Sequence, residues 1–317
     1  MMMSDWNGEK IAEPGVYTGV PLEFYHGPEI TTEPSISKSG LKTIWTDGPS
    51  AYWWTSVYNP NADEDESTPA LDLGRAAHHW LLGEADFATY FALRPEMAPD
   101  GRAWNGNNTS CREWLKDRAD EGRPVVTVEN MKTLRRMRDG LLRNSLVQQG
   151  ALDGAVERSL IFRCPTTGVW MRSRPDVIPN TSGDYVDLKS CGSLSPRSLQ
   201  SAIGEGQEYR MQAAVTRMAC RALDLPFQSF SFAFVLTKTP FDAEVLTLKD
   251  NEIDRGERQV LAAARMFSDG MATGRWPTKR EAFGGSDWIE SSTWDQTRTD
   301  DLLDRLEKFT PVSEAAE

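Results

Sequence analysis

Hydrophobic and polar positions along the chain follow two different periods, and the period changes near residue 150. Up to that point apolar residues recur every three or four positions, which is typical of amphipathic helices. Beyond it, polar and apolar residues alternate over 155–189, which predicts a β-meander. Helices are predicted most clearly in four segments: SKSGLKTIW from residue 37, LDLGRAAHHWLLGEADF from residue 71, residues 110–120 and residues 129–149.

The rest of the chain alternates helices with strands. A helix is predicted from Ser195 to about Leu223, two strands follow in QSFSFAFVLTK and FDAEVLTLK, and a long helix spans 250–274. This order indicates an α/β fold class, with a mixed central β-sheet flanked by helices and a helical N-terminal part.

The same pattern divides the chain into three parts. Residues 1–34 show no clear period and are expected to form an irregular N-terminal extension. Residues 35–283 are expected to form the main domain, which is helical over 35–150 and holds the sheet core over 151–283. Residues 284–317 are expected to be an acidic C-terminal tail with one short amphipathic helix, TDDLLDRLEKF.

Composition narrows the class of protein. No stretch approaches the roughly 18 to 20 apolar residues of a membrane span, and the N-terminus lacks the apolar core of a signal peptide. We therefore expect a cytoplasmic protein with no membrane contact. The four cysteines, at positions 111, 164, 191 and 220, form no CxxC pair, which argues against a disulfide framework or a zinc site.

Charge is distributed unevenly in a chain whose net charge is −12. Residues 101–221 hold 19 Lys and Arg against 13 Asp and Glu, whereas the acid lies mostly at 61–67 and from Asp287 onward. A basic middle between acidic flanks fits a local polyanion-binding face. Ordinary variation of surface charge along a chain explains the same numbers equally well.

The segment RPDVIPNTSGDYVDLKS, at 174–190, carries the candidate chemistry. Side chains two apart on a strand point to the same face, so Asp187 and Lys189 project together while Leu188 enters the core. A neighbouring strand that ends at Asp176 can bring a second carboxylate beside them. The two carboxylates and the main-chain carbonyl of Leu188 would form a hard oxygen site suited to Mg²⁺, with Mn²⁺ as a substitute. Such a metal would activate water for phosphodiester cleavage, with Lys189 as an orienting charge or a proton acceptor.

The acid-x-Lys tripeptide alone is a weak signal. Roughly one or two such matches are expected by chance in a chain of this composition. The other interpretation is a hairpin in which Asp187 and Lys189 form an exposed cross-strand ion pair. The context favours a site, because an Asp follows Pro175, the turn NTSGD comes next, and an apolar strand then bears the acid and the lysine.

An ordered set of six short segments carries a family resemblance. SISKSGLKTI, LGRAAHHWLLGEADF, VERSLIF, RPDVI, DLKS and YRMQAA follow one another between about residues 35 and 278. This order resembles the RecE/exonuclease VIII family of phage-type exodeoxyribonucleases, within the PD-(D/E)xK nuclease superfamily. The resemblance implies a restriction-endonuclease-like core and Mg²⁺-dependent phosphodiester hydrolysis. A tyrosine common in the family after the helical glutamine is absent here.

The resemblance also assigns roles to particular residues. Its functional positions fall on a helical histidine at His78, an early glutamate at Glu157, catalytic acids at Asp176 and Asp187, a lysine at Lys189 and a helical glutamine at Gln212. Some relatives in the superfamily hold a four-cysteine iron–sulfur cluster, but the cysteines here are spaced too widely and no cluster is expected. No GxxxxGK[ST] motif occurs, so we expect no ATP.

The helical pattern separates His78 from its neighbour His79. At helical spacing His78 shares a face with apolar residues such as Leu81, whereas His79 shares one with Asp72. We therefore expect only His78 to point inward, as a metal ligand or an organiser of the site. The other interpretation is an ordinary core histidine.

The remaining candidates each have a functional and a structural interpretation. By alternation Glu157 could face the cleft as a second-metal ligand or a water holder, or be an exposed strand acid. Gln212 could hold Lys189 or a backbone phosphate, or belong to a polar helix surface. DNA contacts are expected from Arg172, Arg174, Arg197, Tyr209 and Arg210.

Together these features predict a metal-dependent exodeoxyribonuclease that resects linear double-stranded DNA ends. The resemblance implies 5′ to 3′ digestion, which leaves a 3′ single strand for a single-strand annealing protein. It also implies a ring-shaped homo-oligomer threaded by DNA. The alternatives are a structure-specific or single-strand nuclease of the same superfamily and a non-catalytic DNA-end-binding recombination scaffold. The joint presence of Asp176, Asp187 and Lys189 disfavours the scaffold.

Overall fold

A computed structural model describes the chain over five stretches: 3–62, 69–82, 87–156, 158–285 and 289–307. Internal contacts divide the chain into two compact units, 1–279 and 280–317.

The strands of the described residues are numbered in chain order. They are β1 Ser4–Asp5, β2 Gly15–Thr18, β3 Ser35–Ser37, β4 Ala92–Leu93, β5 Val125–Val126, β6 Gly154–Val156, β7 Ser159–Arg163, β8 Trp170–Ser173, β9 Val177–Pro179, β10 Asp184–Cys191, β11 Ser229–Leu236 and β12 Ala243–Thr247.

The helices are numbered in the same way. They are α1 Leu22–His26, α2 Lys38–Thr46, α3 Pro49–Trp54, α4 Pro69–Leu81, α5 Phe87–Tyr90, α6 Thr109–Asp120, α7 Val128–Leu142, α8 Ser145–Gln148, α9 Pro196–Ile203, α10 Tyr209–Ala222, α11 Asp250–Thr273, α12 Lys279–Phe283 and α13 Thr293–Glu307.

The described strands form two five-stranded sheets and one short pair. The first sheet has the order β1-β2-β7-β8-β3, and the second has the order β12-β11-β10-β9-β6. Each contains both parallel and antiparallel neighbours; in the second, β10 runs parallel to β11 and antiparallel to β9. The predicted α/β class with mixed strand pairing is confirmed. The strands are shared between two sheets, where a single central sheet was expected.

The β-meander predicted over 155–189 is wrong in its connections. β7 and β8 form an antiparallel hairpin in the first sheet. β9 pairs with both β6 and β10 in the second sheet. The chain therefore changes sheet twice within this segment. Alternation of polar and apolar residues identifies a strand, but it carries no information about which strand will be the neighbour.

The N-terminal residues are more ordered than the expected irregular extension. β1 pairs with β2, and β2 pairs with β7 of the first sheet. Ile30 and Tyr25 are buried in a cluster that includes Ile161 and Trp170 from that sheet. A strand of four residues is too short to show a period, whereas burying its apolar neighbours attaches the segment firmly to the main unit.

The strand that carries the acid-x-Lys tripeptide lies in the middle of the second sheet, with both faces covered. Tyr185 packs into the core cluster that includes buried residues of α10 and α11. Val186 and Leu188 pack on the opposite side, with residues of α4 and α7. Because side chains alternate along a strand, Asp187 and Lys189 lie on the same side as Tyr185. This fixes the direction of both candidate side chains.

The C-terminal unit contains α13, which begins well before the short helix predicted from the TDDLLDRLEKF segment. Trp294, Leu302 and Leu303 are exposed on it. Within the described residues, no helix combines the length and apolar content needed to cross a bilayer.

Candidate active site

Asp176 lies in the turn between β8 and β9 and is held against β10 by the backbone. Its Oδ2 accepts a hydrogen bond from the main-chain amide of Leu188 at 2.7 Å. The pairing of Val177 with Val186 brings the start of β9 alongside β10. Asp176 thus places its carboxylate beside β10 from the segment between β8 and β9, whereas the sequence predicted this acid at the end of a strand.

Asp187 is fully buried and has two side-chain partners. Lys189 forms an ion pair with its Oδ2, and Nε2 of Gln212 donates a hydrogen bond to its Oδ1. Because Asp187 has no exposed surface, the interpretation of these residues as an exposed cross-strand ion pair is wrong. Gln212 therefore contacts Asp187, whereas the sequence suggested that it would hold Lys189 or a backbone phosphate.

His78 projects from α4 toward the acids. Its Nδ1 lies 3.3 Å from Oδ1 of Asp176, and its side chain is 29% exposed. The next residue, His79, is only 8% exposed, and its ring lies 4.7 Å from the ring of Tyr90 and 5.3 Å from that of Phe91. The expectation that only His78 points inward is therefore wrong, although His78 is the histidine that reaches the acids.

The two carboxylates have opposite pKa shifts. The pKa of Asp187 is raised to about 6, chiefly by burial and also by the negative charge of Asp176. Burial also acts to raise the pKa of Asp176, but the charge and hydrogen bond of His78 outweigh it and hold this pKa below its usual value. Two neighbouring acids whose environments separate their pKa values are a common feature of catalytic sites.

The basic groups of the site are both stabilised in their charged forms. Burial acts to lower the pKa of Lys189, but the charges of Asp187 and Asp176 more than offset it, so this pKa is raised. For His78, too, burial acts downward and is outweighed by the charge and hydrogen bond of Asp176. Lys189 is therefore an ammonium group at neutral pH, which suits an orienting charge better than a proton acceptor.

The donors present fit a hard divalent cation by their chemistry. In the described part of the chain, no group of three or more His, Cys, Asp and Glu side chains converges as a ready-made metal site. The buried carboxylate of Asp187 and the partly buried carboxylate of Asp176 nevertheless repel each other. A cation between them would relieve that repulsion, with the Leu188 carbonyl and His78 as the further predicted ligands. Glu157, the remaining acid predicted for the site, lies outside the described residues.

Three of the arginines predicted to contact DNA form hydrogen bonds or ion pairs within the protein. Arg172 is 5% exposed and donates a hydrogen bond to the carbonyl of Gly27. Arg174 donates to the carbonyl of Val20 at 2.8 Å. Arg210 pairs with Glu252 at 3.2 Å. Arg172 and Arg174 thus attach the N-terminal segment to the sheet, and burial of Arg172 leaves it little surface to offer to a phosphate.

The other two predicted DNA contacts are placed differently. Arg197 is exposed on α9. Tyr209 is half-buried at the start of α10, and the ammonium of Lys189 lies 5.3 Å from its ring centroid. A second ammonium, that of Lys38, lies 5.7 Å from the same ring. Lys38 is not among the residues predicted for the site; its signal in the sequence is the pair of lysines four apart in SKSGLK, which a helix places on one face.

Fold and site together define a PD-(D/E)xK nuclease: a mixed sheet whose central strands bring two acids and a lysine together. Residues 39–284 match the family described as the PDDEXK-like domain of unknown function (DUF3799). That match covers most of the chain, and the chain therefore belongs to this family.

One solved structure adds information about the fold. The chain is similar to the crystal structure of a protein from Eubacterium rectale that is named a putative exonuclease. The TM-score is 0.52 at 15% sequence identity, covering 83% of this chain and 92% of the other. At that identity the likeness supports the fold alone. No curated protein shows a significant match to this sequence.

Proposed function

We propose that the protein is a Mg²⁺-dependent exodeoxyribonuclease that resects the ends of linear double-stranded DNA. The observation that carries the proposal is the contact set around Asp187, a fully buried carboxylate held by Lys189 and Gln212 beside Asp176. A purely structural ion pair does not need a second carboxylate next to it, because the added negative charge is costly in a largely buried site.

Each residue of the site has a distinct part in the proposed reaction. A divalent metal held by Asp176 and Asp187 would supply Lewis-acid activation of water and of the phosphate. Lys189 stabilises the negative charge that builds up on the phosphate oxygens in the transition state. Gln212 fixes the carboxylate of Asp187, and the amide of Leu188 fixes that of Asp176. The acids are therefore positioned before substrate arrives, which lowers the reorganisation needed during the reaction.

The finer part of the proposal concerns which DNA is cut and from which end. The RecE-like order of motifs supports 5′ to 3′ digestion, with the 3′ single strand passed to a single-strand annealing protein in phage-type recombination. The basic segment 101–221 supports an anionic substrate in a chain that is acidic elsewhere.

The test is a time course on linear duplexes labelled at either the 5′ or the 3′ end, with Mg²⁺, with Ca²⁺ or with EDTA. Early release of short products from the 5′ label, in Mg²⁺ alone, is the expected result. Single-strand substrates and flapped duplexes run in parallel test the alternative of a single-strand or structure-specific nuclease. Preferential cutting of those substrates would replace the end-resection proposal by that alternative.

A ring-shaped homo-oligomer is the proposed assembly. Phosphate contacts alone are salt-sensitive and release readily, and a closed ring around DNA would keep the enzyme on its substrate. We expect a trimer or tetramer mass by light scattering at micromolar concentration. A monomer mass, or efficient cutting of covalently closed circular duplex, would contradict an end-threaded ring.

A further inference from the structure

Two lysines of α2 extend toward the same loop next to the active site. The ammonium of Lys38 donates to the main-chain carbonyl of Gln207 at 3.3 Å. The ammonium of Lys42, one helical turn later, donates to the side-chain oxygen Oε1 of the same Gln207 at 3.2 Å. The loop between α9 and α10 therefore orients both lysines.

The ring of Tyr209 lies near both Lys38 of this pair and Lys189 of the candidate active site. Its ring stacks on Phe232 of the sheet, with a centroid distance of 5.2 Å. The ammonium groups of Lys38 and Lys189 lie 5.7 Å and 5.3 Å from the centroid of the Tyr209 ring. Lys38, Lys42 and Lys189 thus form a row of positive charges, called here the lysine row, which begins at Asp187 and leads away along α2.

Lys38 and Lys42, the two members of the lysine row on α2, differ in their ion pairing from Lys189, which pairs with Asp187. Across the described residues, neither Lys38 nor Lys42 forms a salt bridge. Other lysines of the chain do find acids: Lys10 pairs with Glu29, Lys116 with Asp120 and Lys132 with Glu129. The hydrogen-bond acceptors of the two ammonium groups are instead the neutral oxygens of Gln207.

The charges around Lys38 favour the binding of an anion at the lysine row. The pKa of Lys38 is lowered to about 7, chiefly by burial and also by the positive charges of Lys189 and Lys42, while the charges of Asp187 and Glu208 act in the opposite direction. Crowding positive groups in a half-buried place is unfavourable while no counter-charge is bound. A phosphate oxygen at the lysine row would remove that cost.

We propose that Lys38 and Lys42 bind the DNA backbone phosphates next to the scissile one and so set the path of the cleaved strand into the active site. This inference rests on the proposed nuclease function and adds to it a binding site for the substrate. Lysine provides a point charge on a flexible stem, which suits contact with phosphate without reading the base sequence. The Gln207 contacts hold both ammonium groups in place, while each still has protons to donate to a phosphate.

The salt dependence of DNA binding tests this site directly. Fluorescence anisotropy of a labelled short duplex is measured in EDTA, over a range of NaCl concentrations, for wild type, Lys38→Gln, Lys42→Gln and the double variant. Each lost phosphate contact should reduce the slope of log affinity against log salt by about 0.9, and the double variant should lose about twice that. At moderate salt we expect each single variant to bind roughly 3- to 10-fold more weakly.

Matched variants separate a phosphate contact from a general change of charge or a folding defect. Lys116→Gln removes one positive charge from an exposed lysine of α6 that already pairs with Asp120, and its slope should equal that of wild type. Lys38→Arg keeps the charge and should keep most of the slope. If Lys38→Gln proves unstable in a thermal melt, Lys42→Gln carries the test alone.

The outcomes distinguish this inference from the proposed function. If wild type binds and cleaves DNA but Lys38→Gln and Lys42→Gln show the same slope as Lys116→Gln, the lysine row does not bind phosphate and the inference is overturned alone. If wild type neither binds nor cleaves duplex DNA, the proposed function and the inference are both overturned. A slope reduced in the two lysine variants but not in the control supports the site.

Discussion

The main-chain amide of Leu188 donates a 2.7 Å hydrogen bond to the carboxylate of Asp176. This single contact joins the acid of one chain segment to the strand that carries Asp187 and Lys189. Because the donor is backbone, it persists when any side chain of the tripeptide is replaced. Substitutions in the site should therefore change its chemistry with little change in the placement of Asp176.

Replacing Lys189 should remove activity while the protein stays folded. Lys189→Met eliminates the ammonium that pairs with Asp187, and with it the positive charge proposed to stabilise the transition state. We expect the cleavage rate to fall at least about a thousandfold, which corresponds to roughly 4 kcal/mol. Initial rates on a labelled linear duplex measure it, with far-ultraviolet circular dichroism as the folding control. A loss of less than tenfold would argue against a catalytic role for this lysine.

The pair of His78 and Asp176 should make the stability of the metal-free protein depend on pH. The pKa of His78 is raised in the folded state because Asp176 outweighs the effect of burial. The contribution of the pair is then complete below the unfolded pKa of about 6.5 and disappears as the pH rises through the higher folded value. Urea unfolding in EDTA should show wild type exceeding His78→Gln by more at pH 6 than at pH 9. An equal difference at both pH values would contradict this account.

His79 should matter for stability and not for catalysis. Its ring is buried between the rings of Tyr90 and Phe91, so His79→Ala removes aromatic packing. We expect a loss of roughly 1 to 3 kcal/mol in the free energy of unfolding, with the cleavage rate preserved where the variant is folded. Loss of cleavage without loss of stability would place His79 in the site instead.

Arg172 and Arg197 should behave differently, although the sequence pattern predicts DNA contact for both. Arg172→Met removes the buried hydrogen bond to Gly27, and it should lower the melting temperature without changing the salt slope of DNA binding. Arg197 is exposed on α9, so Arg197→Gln should leave the melting temperature unchanged. Thermal melts and anisotropy titrations on both variants check this. A reduced salt slope in Arg172→Met would mean that the arginine reaches DNA after all.

The local pattern of polar and apolar residues predicted several elements of the fold correctly. The alternation in DYVDLKS predicted the strand β10 and the direction of Leu188, and the apolar period predicted a helix over 250–274, where α11 spans Asp250–Thr273. These features depend on neighbours in sequence, which periodicity records directly.

The expectations that failed depend on partners distant in sequence. The hairpin β7-β8 could not be assigned to its sheet, because strand pairing is decided by long-range contacts. Arg172 looked like a surface cation until the N-terminal segment covered it. His79 looked exposed on its own helix, yet residues of the following segment bury it. Lys38 became a candidate only when Tyr209 brought it near Lys189.

The central claim is that Asp187 takes part in catalysis. Substituting either of two acids of the same strand, Asp187 and Asp184, tests it. Asp187→Asn changes the buried carboxylate of the site, whereas Asp184→Asn changes an exposed one whose partner is the hydroxyl of Ser229 at 2.7 Å. The measurement is the initial rate of nucleotide release from a linear duplex in Mg²⁺. We predict that Asp184→Asn retains the wild-type rate and that Asp187→Asn loses at least about a thousandfold. A folded Asp187→Asn protein that digests linear DNA at near the wild-type rate would contradict the assignment of this site.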